Sequence, residues 1–229
     1  MTIGTKSLLF GCHQFLWHPL TVALAYRRLF RRWPDAVGWL CILVHDWGYW
    51  GKTDIDGESG KKHPLLGAKI VNRVVYRMRR WFCREPRIVS VLVASESAER
   101  CLLHSGSLAR AINTSPSDIC WADKFSLFYD PEWFYLLRTW ASGELSEFVG
   151  HAVEAGGVYR YASGWEWLSW FKRHLLSRME ILSLLQEKSL LRNYLLLRYS
   201  PRVLKDTANQ FEKASRESAL VRLPGARTS

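Results

Sequence analysis

The sequence predicts an all-α fold, and three observations carry that prediction. Apolar residues recur at helical spacing in successive segments, Pro and Gly punctuate those segments where helices start or stop, and no run shows the two-residue alternation of a half-buried strand. From His18 to Trp33, the residues Val22, Ala25, Tyr26, Leu29 and Phe30 fall on one helical face, and Pro34 marks the stop. A second helix is expected over Asp35–Asp46, apolar nearly all round and therefore buried. Gly48 to Gly60 holds four glycines and three acids and reads as a loop. Pro64 suits the first turn of the next helix, in which Ile70, Val71, Val74, Val75 and Met78 form one face and Arg73, Arg77, Arg80 and Arg84 another.

The stretch from Pro86 to Gly106 is valine-rich, but it is long and lacks the turn signals of a hairpin, so a helix is expected there too. Ser117 is placed to cap the following helix, while Pro131 opens the one after and Gly143 closes it. Trp165 to about Tyr199 is again helical in pattern, with Trp167, Trp170 and Phe171 on one face, as expected for packing on the core or on a second subunit. After Pro201 the chain turns polar. The expected organisation is a helical core over 1–142, a helical extension packed on it over 143–204, and a polar, partly disordered tail over 205–229.

With 229 residues and 48% hydrophobic content the chain can bury a sizeable core. No apolar run approaches the roughly 20 residues of a membrane span. Arg27, Arg28, Arg31 and Arg32 interrupt the first candidate and Asp46 ends the second. The N-terminus, with only Lys6 before its apolar run, does not resemble a secretory signal, so a cytoplasmic protein is expected. Five cysteines without CxxC spacing point to reduced core residues, not to a disulfide framework or a cysteine zinc site. The net charge of +11 is uneven: Lys61 to Arg87 holds nine Lys or Arg against Glu85 alone. Such a balance favours an anionic partner, be it nucleotide, nucleic acid or lipid surface.

The chemistry centres on His45-Asp46, side by side at the end of a buried helix. The nearby Gly51-Lys52-Thr53 is not a phosphate-binding Walker loop, because Asp46 stands where that motif needs its first glycine. Nor do Asp54, Asp56 and Glu58 form a calcium loop, since Leu65 occupies the position of its bidentate glutamate. An imidazole and a carboxylate at one helix end can ligate a divalent ion, and further nitrogen and carboxylate ligands are spaced along the chain. His18 precedes the pair, His63 and His104 follow it, and Asp123 stands beyond them in "WADK". This donor set suits Mn, Fe, Co, Ni, Zn or, with more water, Mg. His18 is preferred over His13 because "HPLTVALAY" starts a clean helix, and His63 either ligates or merely caps the helix before Pro64. His151 and His174 lack such a context.

In that order the residues resemble the HD-domain metal-dependent phosphohydrolase superfamily, whose two-metal members carry H…HD…H…H…D on an all-α core. The resemblance covers about residues 10 to 130. It implies a first metal on His18, His45, Asp46 and Asp123, with Asp46 bridging to a second on His63 and His104. It implies hydrolysis of a phosphomonoester, phosphodiester or anhydride of a small nucleotide-type substrate by a metal-activated water, with His45 and Asp46 central to catalysis. No Gly-Tyr-Pro signature follows, so the cyclic-di-GMP branch is not indicated, and His104 lies outside the paired-His motif of that family. Lys52, Lys61 and Lys62, on the loop between ligand pairs, are candidate contacts for substrate phosphate. Two other functions fit the same residues. One is a non-catalytic HD-fold protein that binds nucleic acid or a signalling nucleotide, and the other is an enzyme on a non-nucleotide substrate, as the inositol oxygenase relatives are. A homo-oligomer is compatible with each.

Overall fold

The computed structural model describes residues 1–154 and 163–177, and among these it shows ten α-helices and no strand. The all-α expectation holds. The helices are α1 (Ile3–Phe10), α2 (Trp17–Phe30), α3 (Ala36–Val44), α4 (Pro64–Trp81), α5 (Arg87–Leu102), α6 (Gly106–Ala111), α7 (Asp118–Ser126), α8 (Glu132–Ser142), α9 (Glu144–Glu154) and α10 (Gly164–Ser177). Met1–Ser169 form one compact unit, and Trp170–Ser229 belong to another. No described helix is long and apolar enough to cross a membrane. The helical pattern beyond Ser177 and the polar tail over 205–229 lie outside the described residues.

Local chemistry explains most boundaries. α2 stops at Phe30 because Arg31 takes a left-handed conformation, three residues before the expected end at Trp33. Asp35 caps α3 by accepting from the Gly38 N–H at 2.6 Å. Gly143 closes α8 at φ 89°, a region that costs a residue with a Cβ but not glycine. Ser117 stands at the N-cap of α7 with extended backbone, as expected, yet its buried hydroxyl makes no cap bond. Asp118 accepts from the Ile119 N–H instead. The sequence reading omitted α1, which the Thr2 hydroxyl caps, and α6, where Ser105 does so. Both are short, so their periodicity is weak.

The core brings Val22, Ala23 and Tyr26 of α2 together with Cys41, Ile42 and Val44 of α3, Val71 and Val75 of α4, Ala94 and Cys101 of α5, and Ile119 and Ala122 of α7. Each of the larger aliphatic side chains contributes about 1.5–3 kcal/mol by leaving water. Arg100 of α5 clips the periphery of this core: its guanidinium bonds Asp35 at the start of α3 and Asp118 at the start of α7, where the Tyr26 hydroxyl also donates. All five cysteines are free; four are buried and Cys83, in the turn after α4, is exposed. The glycine-rich loop is anchored, since Glu147 of α9 accepts from the backbone N–H of Ile55 and Asp56, and Asp54 accepts from that of Gly60.

Candidate metal centre

α3 ends at Val44, and the chain turns through His45 and Asp46 into a one-turn 3-10 helix at Trp47–Tyr49. α3 is not buried all round as expected, since Trp39 and Leu43 are exposed; its inner face packs on the core, and His45 and Asp46 at its end are almost wholly buried. α2 supplies His18 from its first turn and α7 supplies Asp123, and these two helices pack on each other. The end of α5 supplies His104, and the residue before α4 supplies His63. A glycine makes the last approach feasible: a Cβ on Gly48 would lie 1.9 Å from the His63 carbonyl oxygen, so only glycine lets the two backbones meet.

The six residues fall into two groups that share Asp46. His18, His45, Asp46 and Asp123 offer donor atoms within 4.8 Å of one another, and so do Asp46, His63 and His104. In the first group, His18 Nε2 lies 3.3 Å from His45 Nε2, 3.1 Å from Asp46 Oδ2 and 3.1 Å from Asp123 Oδ1. His45 Nε2 lies 3.0 Å from Asp46 Oδ2 and 3.8 Å from Asp123 Oδ1. Ligands about 2.0–2.2 Å from one ion stand about 3.0 Å apart when octahedral neighbours and about 3.4 Å apart when tetrahedral. The separations suit one ion. In the second group Asp46 turns its other oxygen, Oδ1, to His63 and His104 at 3.6 Å each, while their Nε2 atoms are 2.9 Å apart.

Hydrogen bonding on the far side of each ring fixes what these nitrogens offer. His45 Nδ1 donates to the Ile42 carbonyl at 2.9 Å, His63 Nδ1 to that of Gly60 at 2.8 Å, and His104 Nδ1 to that of Cys101 at 2.6 Å. With its proton on Nδ1, a neutral imidazole directs a bare lone pair from Nε2. Two such nitrogens facing each other, as His63 and His104 do, repel unless a cation stands between them. Asp46 Oδ2 adds a buried carboxylate oxygen that lacks any well-aligned donor. A divalent ion answers both features, so the residues present fit a metal.

The electrostatics agree. Burial and the neighbouring His104 push the His63 pKa down to about 3, leaving it neutral and ready to ligate near pH 7. Burial disfavours a charge on His45, but the Asp46 and Asp123 carboxylates outweigh it and hold its pKa well above the usual histidine value. Burial would raise the Asp46 carboxyl, yet the charges of His45 and His13 keep it well below the ordinary range. Carboxylates that favour a proton on His45 also favour a metal cation, and ligation displaces that proton.

The alternative role of His63 as a helix cap is not realised: it stands at the N-cap of α4 but makes no side-chain cap bond. Of the three lysines, Lys61 is paired with Glu58 at 2.7 Å on the surface and Lys62 is exposed. Lys52 is half-buried, and its carbonyl accepts from the Gly4 N–H.

One group went unremarked in the sequence. Cys12, His13 and Glu144 also bring donor atoms within 4.8 Å. Here the carboxylate is already satisfied: Oε1 accepts from Ser7 at 2.5 Å, Cys12 Sγ at 2.9 Å and His13 Nδ1 at 3.2 Å, and Oε2 from the Cys12 N–H at 2.9 Å and Ser142 at 2.5 Å. Such a shell needs no ion. His13 packs edge-on against His18 and tilts over Tyr49, so the cluster supports the α2 end of the centre. No spacing signal links partners 131 residues apart.

Comparison with protein-family models, with curated proteins and with solved structures found no match. The buried His and Asp groups, compatible with a metal site of the HD type, therefore carry the functional argument.

Proposed function

We propose that this chain is a metal-dependent phosphohydrolase of the HD type, acting on a phosphate ester or anhydride of a small nucleotide-type substrate. The observation that supports this most is the Asp46 carboxylate, which directs Oδ2 to one buried nitrogen and carboxylate group and Oδ1 to another. His18, His45 and Asp123 would complete the first ion's ligands, and His63 with His104 the second's. Ions of the Mn, Fe, Co, Ni, Zn or Mg class held there would supply a nucleophilic water and would neutralise charge on the phosphoryl group.

The protein's own part is to hold the donors in place and to keep the buried His63 ring neutral. The backbone carbonyls of Ile42, Gly60 and Cys101 orient three imidazoles. Burial disfavours protonation of His63, and the carboxylates of Asp46 and Asp123 would balance part of the positive charge of bound ions.

The test is metal analysis of purified protein, followed by phosphate release from a nucleotide panel with Mn or Ni added. Asp46→Ala should keep the helical content, lose both ions and lose all turnover. Full activity in that variant sinks the mechanism. A metal-loaded wild type that binds nucleotides without hydrolysing any would instead establish the non-catalytic function.

A further inference from the structure

The hairpin formed by α4 and α5 ends in a surface that the metal centre does not use. α4 runs 18 residues, so Trp81 stands about 25 Å along the helix from His63. Around the turn between the helices, Trp81 is 78% exposed, Phe82 77%, Ile88 66% and Leu92 62%. Met78, Val74, Val89 and Val91 are exposed beside them. Single exposed apolar residues are ordinary, but so many on one hairpin tip mark an interaction surface. The same tip exposes Arg73, Arg77, Arg80, Arg84 and Arg87. Its one acid, Glu85, is already paired with Arg79 at 2.6 Å.

We propose that this tip docks on an anionic lipid surface, with Trp81, Phe82 and Ile88 entering the headgroup boundary and the arginines contacting lipid phosphates. Exposed aromatic and aliphatic side chains beside a row of arginines match that boundary, where apolar groups leave water while guanidinium groups stay hydrated beside anions. A second copy of this chain is a poorer occupant, because an isologous contact would face five arginines with five more. A polynucleotide would satisfy the arginines but leave Ile88, Leu92 and Met78 without a partner. The proposal stands independently of the hydrolase reading, since none of these residues belongs to the metal centre.

The test is vesicle flotation of the full chain, using phosphatidylcholine vesicles with and without phosphatidylglycerol. Binding is expected only to the anionic vesicles and is expected to disappear at high salt, where the Debye length falls to about 3 Å. Each arginine near an anionic surface is worth about fivefold in affinity, so Arg77→Ala with Arg80→Ala should weaken binding about 30-fold. Trp81→Ser with Phe82→Ser should abolish it while thermal stability and metal content stay unchanged. No binding to anionic vesicles overturns the proposal, as does equal binding to neutral ones. It also fails if the Trp81 and Phe82 changes instead convert an oligomer to a monomer, or if a polynucleotide binds the wild type and displaces it from vesicles.

Discussion

Glu144→Gln tests whether the buried carboxylate beside the candidate metal centre is as strongly held as its hydrogen bonds imply. Burial opposes its ionisation, but His13, Cys12 and Ser142 outweigh this and lower the pKa from its ordinary 4.5 to about 2. At 1.36 kcal/mol per pKa unit, the ionised form contributes about 3 kcal/mol to folding. A folded pKa below the unfolded one places the sign: this stability is fully present above pH 4.5 and is lost as the pH falls toward 2. Glutamine keeps the shape but lacks the charge, and it sets an NH2 group against the donors of Ser7 and Cys12 or of Ser142. Urea unfolding at pH 7, followed by tryptophan fluorescence, should show the midpoint falling by about 1.5 M for a slope near 2 kcal/mol/M. Between pH 4.5 and 2 the difference between variant and wild type should shrink. An unchanged midpoint at pH 7, or a difference that persists through that window, refutes the reasoning.

Gly48→Ala places a Cβ against the His63 carbonyl, 1.9 Å away, and backbone cannot yield as a flexible side chain can. It should lower the melting temperature by several degrees and cost the second metal before the first, as read by calorimetry and metal analysis. His104→Ala should reduce bound metal toward one ion per chain, and His18→Ala should do the same by impairing the first group while leaving His63 with His104; loss of all metal in either variant would argue against two separate groups. Removing metal with a chelator should destabilise the wild type by about 2.7 kcal/mol relative to protein held at one hundred times the dissociation constant, and should leave Asp46→Ala unaffected. Thermal scans with and without added ion measure this.

The helices from α2 to α8 were largely legible because their apolar periodicity and their Pro and Gly boundaries are local properties. Pro64, Pro131 and Gly143 stand where the reading put them. Short helices such as α1 and α6 escaped, since six to eight residues hold too little periodicity to rise above composition. For the candidate site, the order His18, His45, Asp46, His63, His104 and Asp123 singled out residues that the fold does gather into two groups. Lys61, a candidate phosphate contact from its position on the loop, is paired with Glu58 at the surface.

By itself, then, the sequence determined the helical class, the apolar faces and the residue types able to ligate metal, because each of these depends on neighbours within a few turns. Tertiary structure alone decided that His63 points its Nε2 at His104 instead of capping α4, and that Asp46 divides its oxygens between two groups. It alone brought Glu144 to His13. Those relations depend on where helices meet in space, which is set by the packing of the whole core and by close approaches such as that of Gly48 to His63.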